Sequence, residues 1–320
     1  MNGKLSICIP TYNRSDYLIE CLKSFLPQLK KHNIPVYISD NASNDNTLEN
    51  LKRFKKEKYQ NIYIHSNEHN LGIDQNILKV VEMAQTEYVW LFSDDDIIKE
   101  NPIDRILSEL KKGYELIVLN ASTFNFDFSQ QREVKRIKIN DKIYLPNEYE
   151  NFIKEIGIYT TFLGSLVINK KKWSSVSLSK YKTSDFIHCW IIFNYIYNSK
   201  ILFISKPFIK IRMQNASWSD RFFEVWYINW PKLIYALPNK YSHKTKNNIT
   251  NNKNIYNLKL KYFLALRATN KFEKSTYNKY IKHKENYPYV KKVLVLFISF
   301  LPRLPLKFLY KFKLLFDNYN

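Results

Sequence analysis

Glycine is scarce in this chain, five of 320 residues, and no group of them forms the Gly-rich loop that wraps phosphates in bare backbone. Cysteine is scarcer still: Cys8, Cys21 and Cys189 are odd in number, far apart and form no CxxC pair. That argues against a disulfide framework or a zinc knuckle and fits a reducing compartment. No basic leader with an apolar core and a small-residue cleavage site precedes the first strand-like run, Leu5 to Ile9, so export is not expected. The apolar run Val293 to Leu301, flanked by Lys291, Lys292 and Arg303 and broken by Pro302 and Pro305, is too short to span a bilayer.

Acidic residues are few beside the 50 Lys and Arg, and the formal charge of +21 is unevenly spread, about −2 over residues 1 to 100, +7 over 101 to 220 and +16 over 221 to 320. A basic C-terminus concentrates anionic partners, nucleic acid and anionic lipid being the usual two. A merely solvated basic face is the plain alternative. With 45% apolar residues, the chain is long enough for one large domain with an appendage.

The first 120 residues alternate β-rich runs with helical patterns: Leu5 to Ile9, Tyr17 to Lys31, Val36 to Asp40, Asp45 to Lys58, Ile62 to His65, Ile73 to Ala84 and Tyr88 to Phe92. A helix opened by Asn101-Pro102 and a strand from Leu116 to Leu119 complete the series. This rhythm predicts an α/β fold with a mostly parallel sheet covered by helices. Polar loops follow the strands at Pro10 to Arg14, Asp40 to Asn46 and Ser93 to Asp96, where open α/β sheets bind ligands. Beyond Asn120 short strands are expected at Phe124 to Phe128 and Lys135 to Ile139, a helix near Glu148 to Ile156, and an amphipathic stretch around Phe186 to Tyr197. From Asp220 onward the pattern is helical, basic and aromatic.

The strongest local signal is Trp90-Leu91-Phe92-Ser93-Asp94-Asp95-Asp96, an apolar strand that delivers three adjacent carboxylates into a loop. Such like charges are tolerable together when exposed, when one is protonated, or when a cation sits among them. Mg²⁺ and Mn²⁺ favour one or two carboxylates plus phosphate oxygens. An acidic turn priming the next helix is the bland alternative, but Asn101-Pro102 already supplies that start. His65 and His69 are four apart yet lack the HExxH pattern, so zinc is not expected.

Three further segments accompany the triplet: Ile7-Cys8-Ile9-Pro10-Thr11-Tyr12-Asn13-Arg14, then Ile38-Ser39-Asp40-Asn41-Ala42-Ser43-Asn44-Asp45-Asn46-Thr47, then Asn67-Glu68-His69-Asn70-Leu71-Gly72-Ile73-Asp74-Gln75-Asn76. In this order, over residues 4 to 120, the four resemble the family 2 glycosyltransferases of the GT-A fold. The resemblance implies that Pro10, Thr11, Tyr12, Asn13 and Arg14 cradle a nucleotide-sugar with Asp40, Asn41, Asn70, Gly72 and Asn76, Asp40 reaching the base. It also implies Asp94 toward the ribose, and Asp95 with Asp96 at a Mn²⁺ or Mg²⁺ ion. The family's acidic motif commonly reads Asp-x-Asp-Asp, so Ser93 stands where its first Asp would be.

In such enzymes a carboxylate of the acceptor half deprotonates the acceptor hydroxyl, giving direct displacement with inversion. Asp185, in Tyr181-Lys182-Thr183-Ser184-Asp185-Phe186-Ile187-His188, is the expected base, a helix cap being the competing reading. Arg212, in the segment Ile211 to Trp218, is expected to pair with phosphate. The domains expected are 1–219, with a nucleotide-sugar half to 120 and an acceptor half after it, and a basic helical subdomain 220–320. The donor would carry UDP, dTDP or CDP, and the acceptor would be a glycan or a lipid-linked glycan of a bacterial surface polymer. The tail's mixture of Leu, Phe and Tyr with Lys and Arg suits a membrane interface, which predicts a cytoplasmic protein peripheral to the inner membrane. A nucleic-acid-binding protein and a sugar nucleotidyltransferase are the rivals. The first leaves the acidic triplet without a purpose, and the second ordinarily uses the Gly-rich loop missing here.

Overall fold

A computed structural model describes residues 3–182, 184–215, 218–250, 255, 258–285 and 287–309. Two compact units divide them: residues 3–215 with Ala236–Thr245, and residues 218–235 with those from 246 onward. Residues 310–320 of the expected C-terminal subdomain lie outside the described residues.

The first unit opens β1 (Leu5–Thr11), α1 (Ser15–His32), β2 (Val36–Asp40), α2 (Thr47–Glu57), β3 (Ile62–Ser66), α3 (Ile73–Met83) and β4 (Tyr88–Leu91), the alternation legible in the sequence. Every residue of β1, β2 and β4 is buried, as strands covered on both faces require. On one face α1 presents Leu18, Cys21, Leu22, Phe25 and Leu29, spaced three and four apart, to Leu5, Ile7 and Ile9. There Trp90 and Phe92 meet the Phe25 ring edge-on at 5.3 and 4.8 Å. On the opposite face α3 covers the sheet, and the Cys8 thiol donates to the Val80 carbonyl at 3.4 Å. Each fully buried Leu, Ile or Phe contributes roughly 1.5–3 kcal/mol, so this double cover fixes the strands whose ends carry the polar loops.

The chain continues through β5 (Ile97–Ile98), α4 (Pro102–Leu110), β6 (Leu116–Phe124), β7 (Gln131–Glu133), β8 (Lys142–Tyr144), α5 (Tyr149–Ile156), β9 (Leu166–Asn169), α6 (Lys170–Ser174), α7 (Ile187–Tyr195) and β10 (Ile201–Arg212). Strand order is β3-β2-β1-β4-β9-β6-β10-β5, with β7 on β6 and β8 on β10. The first four strands are mutually parallel, β6 and β10 are parallel to each other, and β9 lies antiparallel between β4 and β6. The sheet is therefore mixed beyond β4, and the carboxyl ends of β1, β2 and β4 share one edge, with their loops side by side.

Three expected elements are corrected. Phe124 ends β6, and Asn125 to Phe128 turn rather than extend: the Asn125 carbonyl accepts from the Phe128 amide, and Phe128 has φ +60°. Lys135 to Ile139 is no strand, because Asn120 takes its backbone: the Asn120 amide donates to the Ile137 carbonyl at 2.7 Å and accepts from the Ile137 N–H at 3.1 Å. α7 is not amphipathic, since eight of its nine residues are buried. A helix buried all round shows no polar stripe.

The second unit is helical and has its own core, in which Phe223, Phe263 and Phe272 meet at ring distances of 5.0 to 6.4 Å, with Tyr277, Ile281, Val295 and Ile298 around them. Its helices include Leu260–Ala268, Lys274–Tyr280 and Tyr289–Phe300. Among the described residues no helix is long and apolar enough to cross a membrane.

Candidate active site

The loop after β4 carries the acidic triplet into the shared edge of the sheet. Thr11, at the end of β1, donates its hydroxyl to Asp94 at 2.8 Å. Arg14, at the start of α1, reaches Asp95 at 2.6 Å and Asp94 at 3.5 Å, and its other nitrogen donates to the Asn215 carbonyl at 2.5 Å. The Asn215 side-chain amide adds a bond to Asp95 at 3.0 Å. Asp96 accepts the Arg212 backbone N–H at 2.8 Å.

The three carboxylates are short of positive charge. Burial, then the neighbouring Asp95, pushes Asp94 well above the usual carboxylate range, with Arg14 and Thr11 opposing. Burial, then Asp95, does the same to Asp96 against the Arg212 N–H. Beneath them the Cys21 thiol, pushed up by burial and then by Asp94, stays protonated and inert. Asp94 and Asp96 are buried, and Asp95 is the more open member, its side chain 15% exposed.

Arg212, expected toward phosphate, is engaged inside the protein. Its Nε donates to the Asp95 carbonyl at 3.0 Å, its two terminal nitrogens reach the Phe126 carbonyl and Glu20, and the guanidinium lies 4.2 Å from the Phe128 ring centroid. It braces the acidic loop. Ala216 and Ser217 of the same segment lie outside the described residues.

A second network ties the ends of β1, β2 and β3. Asp40, 1% exposed, accepts from the Ser43 hydroxyl and from the Ser66 hydroxyl at 3.0 Å. Asn41 bonds Asn70 at 2.8 Å and the Leu71 N–H at 2.9 Å, and Asn67 donates to Asn41 at 3.0 Å and to Asn76 at 3.2 Å. The buried Asn76 amide donates to the Ser39 carbonyl at 3.0 Å and to that of Thr11 at 3.3 Å, so it clamps β2 to β1 and joins the two networks. Gly72 precedes α3 at φ +81° with open space where a Cβ would stand, so backbone geometry alone calls for glycine. Asn13 exchanges bonds with the 43–44 turn at 2.8 Å each, and Tyr12, 41% exposed, follows β1, in which Pro10 is buried.

Asp185 belongs to a third cluster. It stands two residues before α7 at φ +72° and accepts from the Ser184 hydroxyl at 3.1 Å, and the α7 N-terminus receives a carboxylate from another helix: Asp74 accepts the Ile187 N–H at 3.2 Å and the Tyr181 hydroxyl at 2.7 Å. Burial raises Asp74 above its ordinary value, the Tyr181 hydroxyl lowers it, and Asp185 adds to the rise. That carboxylate on the α7 terminus comes from α3, 113 residues earlier in the chain. Asp74 stands within a segment already singled out, but neither its pairing with Tyr181 nor the role of Asn215 leaves a local sequence signal. A groove of about 510 Å³ lined by Leu71, Leu78, Trp173, Val176, Leu178 and Ile191 lies between α3 and the α6 segment, with one residue of α7, and no residue of the acidic loop lines it.

Whether this donor set suits a dication follows from its chemistry. Among the described residues no group of three or more His, Cys, Asp or Glu is placed to hold a metal ion, which leaves no all-protein cage. Hard carboxylate oxygens in charge deficit, with Asp95 the most open, fit the mode in which one or two carboxylates share an ion with substrate phosphates.

Residues 6–173 match the family described as Glycosyl transferase family 2. Abequosyltransferase RfbV of Salmonella typhimurium is 29% identical over 68% of this chain and 69% of its own length. Glycosyltransferase GlyG of Streptococcus pneumoniae is 29% identical over 40% of this chain and 42% of its own. Among solved structures, S. aureus TarS 1-349 in complex with UDP-GlcNAc superposes with a TM-score of 0.58 at 17% identity, covering 78% of this chain and 70% of that one, a likeness of fold.

Proposed function

Because the chain belongs to glycosyl transferase family 2, we propose that it moves a sugar from a nucleoside-diphosphate donor to a glycan or lipid-linked acceptor of a bacterial surface polymer, with inversion, at the cytoplasmic face of the inner membrane. The observation that carries the proposal is the clustering of the raised Asp94 and Asp96 carboxylates with Asp95 at the sheet edge, where Arg14 pairs with Asp94 and Asp95. Family membership and the abequosyltransferase relative support sugar transfer, and the UDP-GlcNAc held by the fold neighbour TarS makes UDP-sugars the first donors to test.

In this reading Asp95, steadied by Arg14 and Asn215, and Asp96, steadied by the Arg212 amide, hold Mn²⁺ or Mg²⁺, which when bound neutralises the diphosphate leaving group. Thr11 and Arg14 fix Asp94 toward the ribose. Tyr12 offers a ring to the base, and the asparagine network keeps the Asp40 and Gly72 loops in register around it. Asp185 takes the proton of the acceptor hydroxyl as its oxygen bonds to the anomeric carbon. The bond from that carbon to the diphosphate oxygen breaks, and its electron pair leaves with the nucleoside diphosphate. Asp74 and Tyr181 set the α7 terminus that carries Asp185.

A panel of UDP-, dTDP- and CDP-sugars with Mn²⁺, Mg²⁺ or chelator tests this, nucleoside diphosphate being the expected product. Pyrophosphate as the product would identify a nucleotidyltransferase and overturn it. Asp95→Asn should lower turnover by about 10²–10³-fold, the scale at which loss of a charge-stabilising group acts. Its unfolding midpoint should stay near wild type, because repulsion from Asp94 and Asp96 is relieved as the Arg14 pair is lost. Asp185→Asn should lower kcat and leave donor KM unchanged. Near-normal kcat with the true acceptor removes Asp185 as the base.

A further inference from the structure

Helix Tyr289–Phe300 has two unlike faces. Val295, Ile298 and Ser299 are buried in the second unit's core, while Tyr289, Val290, Val293, Leu294, Phe297 and Phe300 are 42 to 78% exposed. At 3.6 residues per turn those six fall within an arc of about 140°, and they carry no charge. Beyond Pro302, helical residues 303–309 add Leu304, Phe308 and Leu309, 65 to 81% exposed. The arrangement is anchored from inside, since Arg267 donates to the Leu301 carbonyl at 2.8 Å.

Charge frames this stripe. From Tyr287 to Leu309 there are four cationic residues, Lys291, Lys292, Arg303 and Lys307, and no Asp or Glu. By the same helical spacing Lys291 and Lys292 fall about 60° beyond opposite edges of the apolar arc, and the Lys274 ammonium sits 5.0 Å from the Phe300 ring centroid. A contiguous apolar face of this kind marks an interaction site. A second copy seated across a two-fold axis would set the same cations against themselves with no acid in the segment to answer them. Lipid phosphates supply the complementary charge. The 12-residue helix is about 18 Å long, short of the roughly 30 Å hydrocarbon layer, so it suits lying along an interface rather than crossing it.

We propose that this face docks the protein on an anionic bilayer, with Val293, Phe297 and Phe300 in the headgroup–acyl boundary and Lys291, Lys292 and Lys307 toward lipid phosphates, while Arg303 is tied to Asn270. The proposal deepens the membrane location given above, while its test reads lipid binding without donor or acceptor, so failure of the sugar-transfer reading leaves it standing and its own failure leaves transfer untouched.

The test is co-sedimentation of the full chain with vesicles of phosphatidylcholine alone and of phosphatidylcholine mixed with phosphatidylglycerol. Binding to the mixed vesicles is expected, at least about tenfold weaker on phosphatidylcholine alone and weakened by salt. Val293→Asp with Phe297→Asp, both at exposed positions, should abolish binding with an unchanged circular dichroism spectrum and thermal midpoint. Lys291→Gln with Lys292→Gln should weaken it about tenfold or more on the mixed vesicles only. Wild-type protein that ignores mixed vesicles, an aspartate variant that binds them as wild type does, or a wild-type dimer that Phe297→Asp dissolves without any lipid binding overturns the proposal.

Discussion

His188 is the second residue of α7 with its ring buried, and burial pushes it from the ordinary 6.5 down to about 4 against the Thr161 backbone. The folded protein therefore keeps the ring neutral, while the unfolded chain takes up a proton once the pH falls below 6.5. The stability this residue allows is complete above 6.5, drains away as the pH falls, and is fully lost below about 4. At about 1.4 kcal/mol per pH unit the whole loss is about 3 kcal/mol, of which about 2 kcal/mol is spent by pH 5. His188→Leu keeps a similar volume and removes the titration. Urea unfolding of both proteins at about pH 7.5 and pH 5 should then show wild type losing about 2 kcal/mol more than the variant. Asp74, Asp94 and Asp96, raised by burial, act in the opposite sense, but they are common to both proteins and cancel in the comparison. Equal losses in the two proteins would falsify the assignment of His188 as a neutral core residue.

Arg14→Met should destabilise by about 3 kcal/mol, because two largely buried carboxylates lose their shared cation, and adding Asp95→Asn should restore part of the loss in urea midpoints. Gly72→Ala should cost about 1–2 kcal/mol through backbone strain alone, since a Cβ would meet nothing within 4 Å. It should also raise donor KM. An unchanged KM and midpoint would mean that the turn before α3 tolerates a side chain.

The sheet to β4 was legible because each strand is a short apolar run closed by turn residues and followed by a helix with a buried stripe. β9 was not, since Leu166–Asn169 is four residues long and follows two tight 3₁₀ turns that leave no alternation to read. α7 misled because a fully buried helix and a one-sided one share the same apolar residues. At the site, the acidic loop and the Asn-rich turns were visible as local motifs that the structure does draw together around Thr11. Three things stayed hidden. Arg212 is consumed by Glu20 and Phe126, Asp74 reaches the α7 terminus, and Asn215 supports Asp95, and each pairing joins residues more than 80 apart.

The bracing of the acidic loop by Arg212 has a consequence for how the protein is made. Glu20 and Arg212 stand 192 positions apart, and Asp96 waits 116 positions for the amide that holds it. During translation the first four strands leave the ribosome and can pack long before β10 exists, yet the acidic loop at their edge stays unbraced until that last strand threads in. A nascent or truncated chain ending short of Arg212 would carry the four segments from Ile7 to Asp96 and still lack the guanidinium and amide that brace the acidic loop.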